Sequence, residues 1–430
     1  MDSRLITIFE GPLLELEQKI IQNTPAIERW FRLEWQDYTP PFYLSVDLHN
    51  TGFKLAPVDS NLFPDGFHNL PEAMLPLAVQ AAMAAIEKYC PDAKNILLVP
   101  QTGTQNPEDL ENLARLIKLL RMVGLNLQLG YIESANSPPG KITLPDGTSL
   151  PVGPLVRSHN NRRVGLADFN PCAILLNDNL SDGTPEILQD LYEQTLLPPV
   201  HSGSTVRNKV NHFAAYDDVA RRFARMIEVD PWTINPYFNR QIAVNMATND
   251  GKERIAHSVS SVLGRIRRKY KEYRIQEKPY VEVLVPAVSN GQNLIQVADA
   301  SELADIDFTI PGSASAAAGG LVDVFIQEGV RSRERMQEAL AEPVVYMIDR
   351  YVVGGFYRIF NNLSGKNGAN VQVSHFAPPA FSQPHALPDK LVTPGAPSPN
   401  RFYMYGVIAR LALLAAAIEM ERTDPEIAEF

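Results

Sequence analysis

The sequence predicts an α/β fold, with an N-terminal α/β domain built on a mostly parallel sheet over residues 1–200 and an α+β region over 201–430. Three observations predict it. Between residues 72 and 176, helix-period segments alternate with short, wholly apolar runs of strand length, the pattern of buried parallel strands. Leu196 to Val200 reads as a connector. Beyond it, β-rich segments are separated only by short helical stretches.

Each element follows from local chemistry. Leu13, Leu16, Ile20, Ile27 and Phe31 keep helical spacing from Pro12 to Trp35, and Pro25 imposes a kink or a division into two helices. A strand from Phe42 to Leu48 precedes a loop, punctuated by Gly and Pro, from Asn50 to Leu70. Then come an alanine-rich helix from Glu72 to Cys90, a strand from Ile96 to Val99, a helix from Glu108 to Val123 and a strand from Leu125 to Tyr131. Asp146-Gly147 between β-like segments marks a tight hairpin. Ala173 to Leu176 is a further buried strand. Helices are expected from Asn211 to Glu228 and from Lys252 to Tyr273, and strands at 281–285, 294–297, 322–327, 344–348 and 351–360. The small-residue run 312–320 suits either a mobile flap or an ordered glycine-alanine turn, and the Pro-rich 377–399 suits surface wrapping.

Composition narrows the function. The 430 residues carry a net charge of -10, so nucleic acid and anionic lipid are repelled overall, and an anionic ligand needs a local cationic site. Of 39 basic residues, 13 are lysines and 26 arginines, which leaves few lysines for chemistry. The basic helix bearing Arg265, Arg267, Arg268, Lys269 and Lys271 is diluted by Glu253 and Glu272 and reads as a solvated face. Two cysteines, Cys90 and Cys172, are too few for a disulfide framework or a thiolate zinc site and read as buried free thiols. No basic-then-apolar leader opens the chain, and the most apolar helix, Tyr405 to Met420, carries Arg410, so a cytoplasmic protein without a membrane span is expected. Self-association is left open. No H-E-x-x-H, P-loop or G-x-G-x-x-G pattern occurs, which excludes zincin and Walker chemistry.

Three segments concentrate polar groups. In Ser45 to Pro64, the residues Asp47, Asn50, Lys54, Asp59 and Asn61 follow a strand, where ligands bind in α/β folds, and their mixed charge suits an amino acid; the alternative is a turn whose Asx residues cap their own backbone. Arg207, Lys209 and His212 lie at the start of a helix, an anion site in physical terms, although helix starts often carry basic residues. In Pro343 to Phe360, one strand ends at Asp349 and the next carries Arg358; an ordinary hairpin with a buried ion pair would read almost the same. This last stretch resembles the nucleotide edge and following strand of ATP-grasp ligases.

As a whole the chain resembles the proteobacterial-type glutamate-cysteine ligases, an ATP-grasp-like family. The likeness rests on Val46-Asp-Leu48, Gly52 to Asp59, Asn61-Leu-Phe-Pro64, Asp230-Pro-Trp232, Ile234 to Phe238, Val353 to Arg358, Asn400 to Tyr403 and Ala409 to Leu414. It implies ATP-dependent ligation of glutamate to cysteine through a γ-glutamyl phosphate, in glutathione biosynthesis, with ATP and Mg²⁺ as cofactors. It further implies that residues 201–430 form an ATP-grasp-like domain and 1–200 the substrate side. Lys209 and Arg207 would meet phosphate, Asp349 the nucleotide edge, and Arg358 the acyl phosphate, with Arg358 and Lys209 catalytic. Asp47, Asn50, Lys54, Asp59 and Asn61 would hold glutamate, and Asn370 the metal. The chain departs from the family pattern at Leu284, in place of a nucleotide-strand lysine, at Pro286 and Asn293, and at Asn367, in place of a metal-binding carboxylate. Two readings follow: an active ligase, or an amino-acid-binding or regulatory homologue with impaired ATP chemistry.

Overall fold

The computed structural model describes residues 5–6, 11–63, 66–91, 94–101, 106–133, 140–158, 162–181, 183–191, 193–245, 248–286, 292–305, 321–360, 373–377 and 400–425. Its strands are β1 (Leu5–Ile6), β2 (Tyr43–Asn50), β3 (Leu55–Asn61), β4 (Asn95–Pro100), β5 (Asn126–Tyr131), β6 (Lys141–Thr143), β7 (Ser149–Pro154), β8 (Val156–Ser158), β9 (Arg163–Gly165), β10 (Ala173–Asn177), β11 (Thr195–Leu197), β12 (Phe238–Asn245), β13 (Val281–Pro286), β14 (Gln292–Val297), β15 (Leu321–Glu328), β16 (Arg335–Met336), β17 (Ala339–Ile348), β18 (Tyr351–Phe360) and β19 (Val373–Ala377). Its α-helices are α1 (Pro12–Gln22), α2 (Thr24–Asp37), α3 (Leu75–Tyr89), α4 (Pro107–Met122), α5 (Lys209–Ile227), α6 (Asn249–Glu272) and α7 (Asn400–Thr423). The small-residue run 312–320, the segment 366–370 and most of the Pro-rich stretch lie outside the described residues.

Three main sheets organise the chain. A six-stranded sheet, β11-β10-β4-β5-β7-β6, is parallel except for its β6 edge, as the apolar strands predict. A four-stranded antiparallel sheet, β12-β15-β13-β14, follows residue 200. Between them a seven-stranded sheet joins β2 and β3 to β17, with β1, β16, β18 and β19 beyond, and so takes strands from both sides of residue 200. Here the structure corrects the sequence: the loop expected from Asn50 is a β-hairpin. Asn50 Oδ1 accepts from the Gly52 amide at 2.8 Å, Gly52 takes φ 89°, and β3 returns along β2 with a bulge after Asp47.

Helix α7 is the core of the molecule, buried from Phe402 to Ile418 against α1, α2 and α5 and the inner face of β2 and β17. By length and mean hydropathy its segment Phe402–Thr423 could cross a membrane, which the presence of Arg410 had seemed to forbid; 94% of its most apolar window is buried inside the fold. Arg410 is accommodated by Glu28, at 2.6 and 2.9 Å, and lies 4.1 Å over the Phe31 ring. Helix α6 is likewise more than a solvated face. Ile255, Val259, Val262 and Ile266 form a buried stripe against the four-stranded sheet, Arg265 stacks 3.9 Å over Tyr237, and Lys269 binds Asp230 at 2.6 Å.

Candidate functional site

Strand alternation sets up one polar face. Ser45, Asp47 and His49 project from the same side of β2; Asp59 and Asn61 of β3 lie opposite Asp47 and Ser45, and Glu342 of β17 pairs with Arg358 of β18. The opposite side of β2, with Leu44, Val46 and Leu48, packs on α7. On the polar side α3 covers one end of the sheet, through Val344, Tyr346 and Phe356, and leaves the charged end open.

Ion pairs hold that end in place. Arg358 donates to Asp47 Oδ2 at 2.5 Å. Burial nevertheless raises the Asp47 pKa, and the neighbouring Asp59 adds to the rise while Arg358 opposes it. His49 lies between the Val330 carbonyl, 2.5 Å from Nδ1, and Glu342, 3.3 Å from Nε2. Burial would push this imidazole down, but the Glu342 carboxylate, the Val330 carbonyl and the Glu282 charge together outweigh it and the pKa rises to about 9. On facing β13, burial raises the Glu282 carboxyl, partly offset by His49 and Lys209.

Two adjoining cavities share Asp59, Ser60 and Asn61. One, about 180 Å³, is lined by Asp47, Arg358, His68 and Glu108. The other, about 260 Å³, lies at the start of α5 and is lined by Asn179, Ser202, Lys209 and His212. Lys209 Nζ stands 3.6 Å from Asp59 Oδ1, so it faces the border between them. Hollows of about 700 and 460 Å³ beside α4 hold none of the residues expected from sequence.

The fold therefore brings together Asp47, Asp59, Asn61, Arg207, Lys209 and Arg358 from segments far apart in the chain. It does not bring in Asn50, Lys54 or Asp349. Asn50, fully buried, donates to Glu334 at 3.2 Å and Tyr405 at 3.1 Å. Lys54, also buried, donates to Glu328 at 2.7 Å and lies 4.3 Å over Trp232, and burial lowers its pKa to about 8. Asp349 occupies the β17–β18 turn beside Lys88 and Arg350, roughly 25 Å from Arg358 at ~3.3 Å per strand residue. Arg207 lines the second cavity, but its guanidinium already serves Glu419 at 3.1 Å and Ser60 at 2.8 and 2.9 Å, so it acts as a strut. Asn370 and Asn367 lie outside the described residues. Sequence reasoning missed His49, Glu282 and Glu342: Glu282 and Glu342 are lone charged residues in apolar strands, and only register brings them to His49.

The family model for glutamate-cysteine ligase matches residues 17–420. The chain belongs to the glutamate-cysteine ligase family. Within this ligase family, a crystal structure from Methylobacillus flagellatus KT, named as a candidate gamma-glutamylcysteine synthetase, shares 45% identity over 98% of this chain and 99% of that one, with a TM-score of 0.88. A glutathione synthetase-like effector from Globodera pallida, in apo form, shares 10% identity over 87% of this chain and 85% of that one; its TM-score of 0.39 carries no argument. No curated protein matches the chain.

Ligases of this family generally use ATP and Mg²⁺. For phosphate, Lys209 and Arg358 fit: each faces a cavity, and the Lys209 contact to the exposed Asp59 is long. Leu284 adds nothing there, being buried against Phe213 and Phe325. Among the described residues no group of three or more His, Cys, Asp or Glu could hold a metal; Asp47 is tied to Arg358 and Glu342 to His49.

Proposed function

We propose that the chain is an ATP-dependent carboxylate-amine ligase that activates the side-chain carboxylate of glutamate as an acyl phosphate and joins it to the amine of cysteine. The observation that carries this is the pairing of two cavities across Asp59 and Asn61, one of mixed charge around the Asp47–Arg358 pair and one at the cationic start of α5. A zwitterionic acceptor suits the first, with its ammonium toward Asp47 and Asp59 and a carboxylate toward Arg358. Bound ATP supplies the phosphoryl group. Arg358 and Lys209 oppose the charge that gathers on the carboxylate being activated. Phe356 and Phe376 wall the first cavity and limit water near an activated acyl group.

The test is ADP release with Mg-ATP, glutamate and a panel of amines that includes cysteine. Release that requires glutamate and rises with cysteine supports the reading. If no amine stimulates release and Mg-ATP gives no thermal shift, the reading fails.

A further inference from the structure

The cavity at the start of α5 contains two polar atoms that the fold leaves unused. His212 Nε2 and Ser202 Oγ are buried and, among the described residues, have no hydrogen-bond partner, while both residues line the cavity and each is no more than 3% exposed. A buried polar atom without a partner is costly, so a native site that keeps two of them on residues lining one hollow points to a ligand. The rest of the imidazole is fixed. Its Nδ1 lies 3.1 Å from Glu419 Oε2 and 3.1 Å from Arg207 Nη2, and the same Glu419 oxygen accepts from Arg207 Nε at 3.1 Å. Arg207 Nη1 and Nη2 have Ser60 O and Oγ to donate to, so Nδ1 is assigned to the Glu419 carboxylate, which places the ring proton there and leaves Nε2 as an acceptor.

Resting on the ligase reading, we propose that this cavity holds the amine substrate, with its ammonium on His212 Nε2 and Ser202 Oγ, and that His212 is the proton acceptor that frees the amine. One ammonium proton passes to Nε2. The amine nitrogen then attacks the acyl carbon, forming the C–N bond and breaking the bond from that carbon to the phosphate-bearing oxygen. The second proton leaves with the phosphate as hydrogen phosphate, and the third remains on the amide.

Burial lowers the His212 pKa, which keeps the ring neutral and ready to accept. Among the groups that act on it, Glu419 from α7 and Asp59 from β3 favour its protonation and Arg207 opposes it, while Lys209 lines the same cavity. Glu419 then stabilises the imidazolium formed on transfer, the orienting role of a carboxylate behind a catalytic histidine.

Hydroxylamine, which is neutral near pH 7 and needs no base, separates this role from a structural one. In the full-length protein, His212→Gln should lower kcat with the amino-acid amine by about 100-fold, within the usual range of general-base contributions. Hydroxamate formation from glutamate, Mg-ATP and hydroxylamine should fall by less than about threefold, and the residual amino-acid reaction should rise with pH. Ser202→Ala should raise KM for the amino acid by about tenfold with little change in kcat, and this variant tests the cavity if His212→Gln does not fold. Equal losses with both nucleophiles in a folded His212→Gln variant, or an unchanged KM in Ser202→Ala, overturn the proposal. Wild-type protein that releases no ADP with any amine, hydroxylamine included, overturns the ligase reading itself, a separate outcome.

Discussion

Arg358 connects the two sides of the acceptor cavity, with its guanidinium on Asp47 and its strand position opposite Glu342. Arg358→Ala leaves the raised Asp47 carboxyl without its cation and removes the charge facing the cavity, so glutamate-dependent ADP release should fall by about 100-fold or more. Arg358→Lys should recover only a small part, since an ammonium cannot reproduce the planar fork; full recovery would reduce Arg358 to a point charge. His49 makes the pH prediction. Its folded pKa, about 9, lies above the ordinary 6.5, so its stabilising contribution is complete below about pH 6.5 and is lost as pH rises toward 9. A thermal melting series should show wild type losing its advantage over His49→Gln across that window, and a constant difference would contradict the assignment. At this scale the sequence singled out Asp47, Asp59, Asn61, Arg207, Lys209 and Arg358, which the fold gathers around the two cavities, because dense polar clusters stand out in an apolar chain. It placed Asn50, Lys54 and Asp349 at the site, whereas each is buried against a partner from a distant segment, Glu334, Glu328 and Lys88.

The β2–β3 hairpin positions the site as an element. Pro57 and the Asp and Asn residues disguised β3 as loop, yet its pairing with β2 is what sets Asp59 against Asp47. Lys54 fixes the far side of this hairpin to β15 through Glu328, which also accepts from Trp232 Nε1 at 3.1 Å and the Tyr237 amide at 2.9 Å. Lys54→Met strands a buried carboxylate, and chemical denaturation should register a loss of about 3–5 kcal/mol; a loss below about 1 kcal/mol would show that the pair does not fasten the hairpin. On the neighbouring hairpin, a Cβ at Gly354 would meet Met74 Sδ at 2.3 Å and Leu70 Cδ1 at 2.6 Å, and φ is 151°. Gly354→Ala should cost about 1–3 kcal/mol in the same measurement by pushing the Leu70 and Met74 side chains, just ahead of α3, off the sheet.

Across the whole molecule, the parallel sheet before residue 200 was legible because buried parallel strands are continuous apolar runs joined by amphipathic helices. The seven-stranded sheet was not, since pairing β2 with β17 joins segments about 300 residues apart with no local signature. That long-range pairing puts Asp47 beside Arg358 and lets α7 carry Glu419 to His212. Function here is therefore a property of the assembled chain. The central claim, activation of a glutamate carboxylate before amide formation, is tested most directly by oxygen-18 transfer. With both oxygens of the glutamate side-chain carboxylate labelled, Mg-ATP and cysteine, one labelled oxygen should appear in each released phosphate; turnover that releases only unlabelled phosphate would contradict the account.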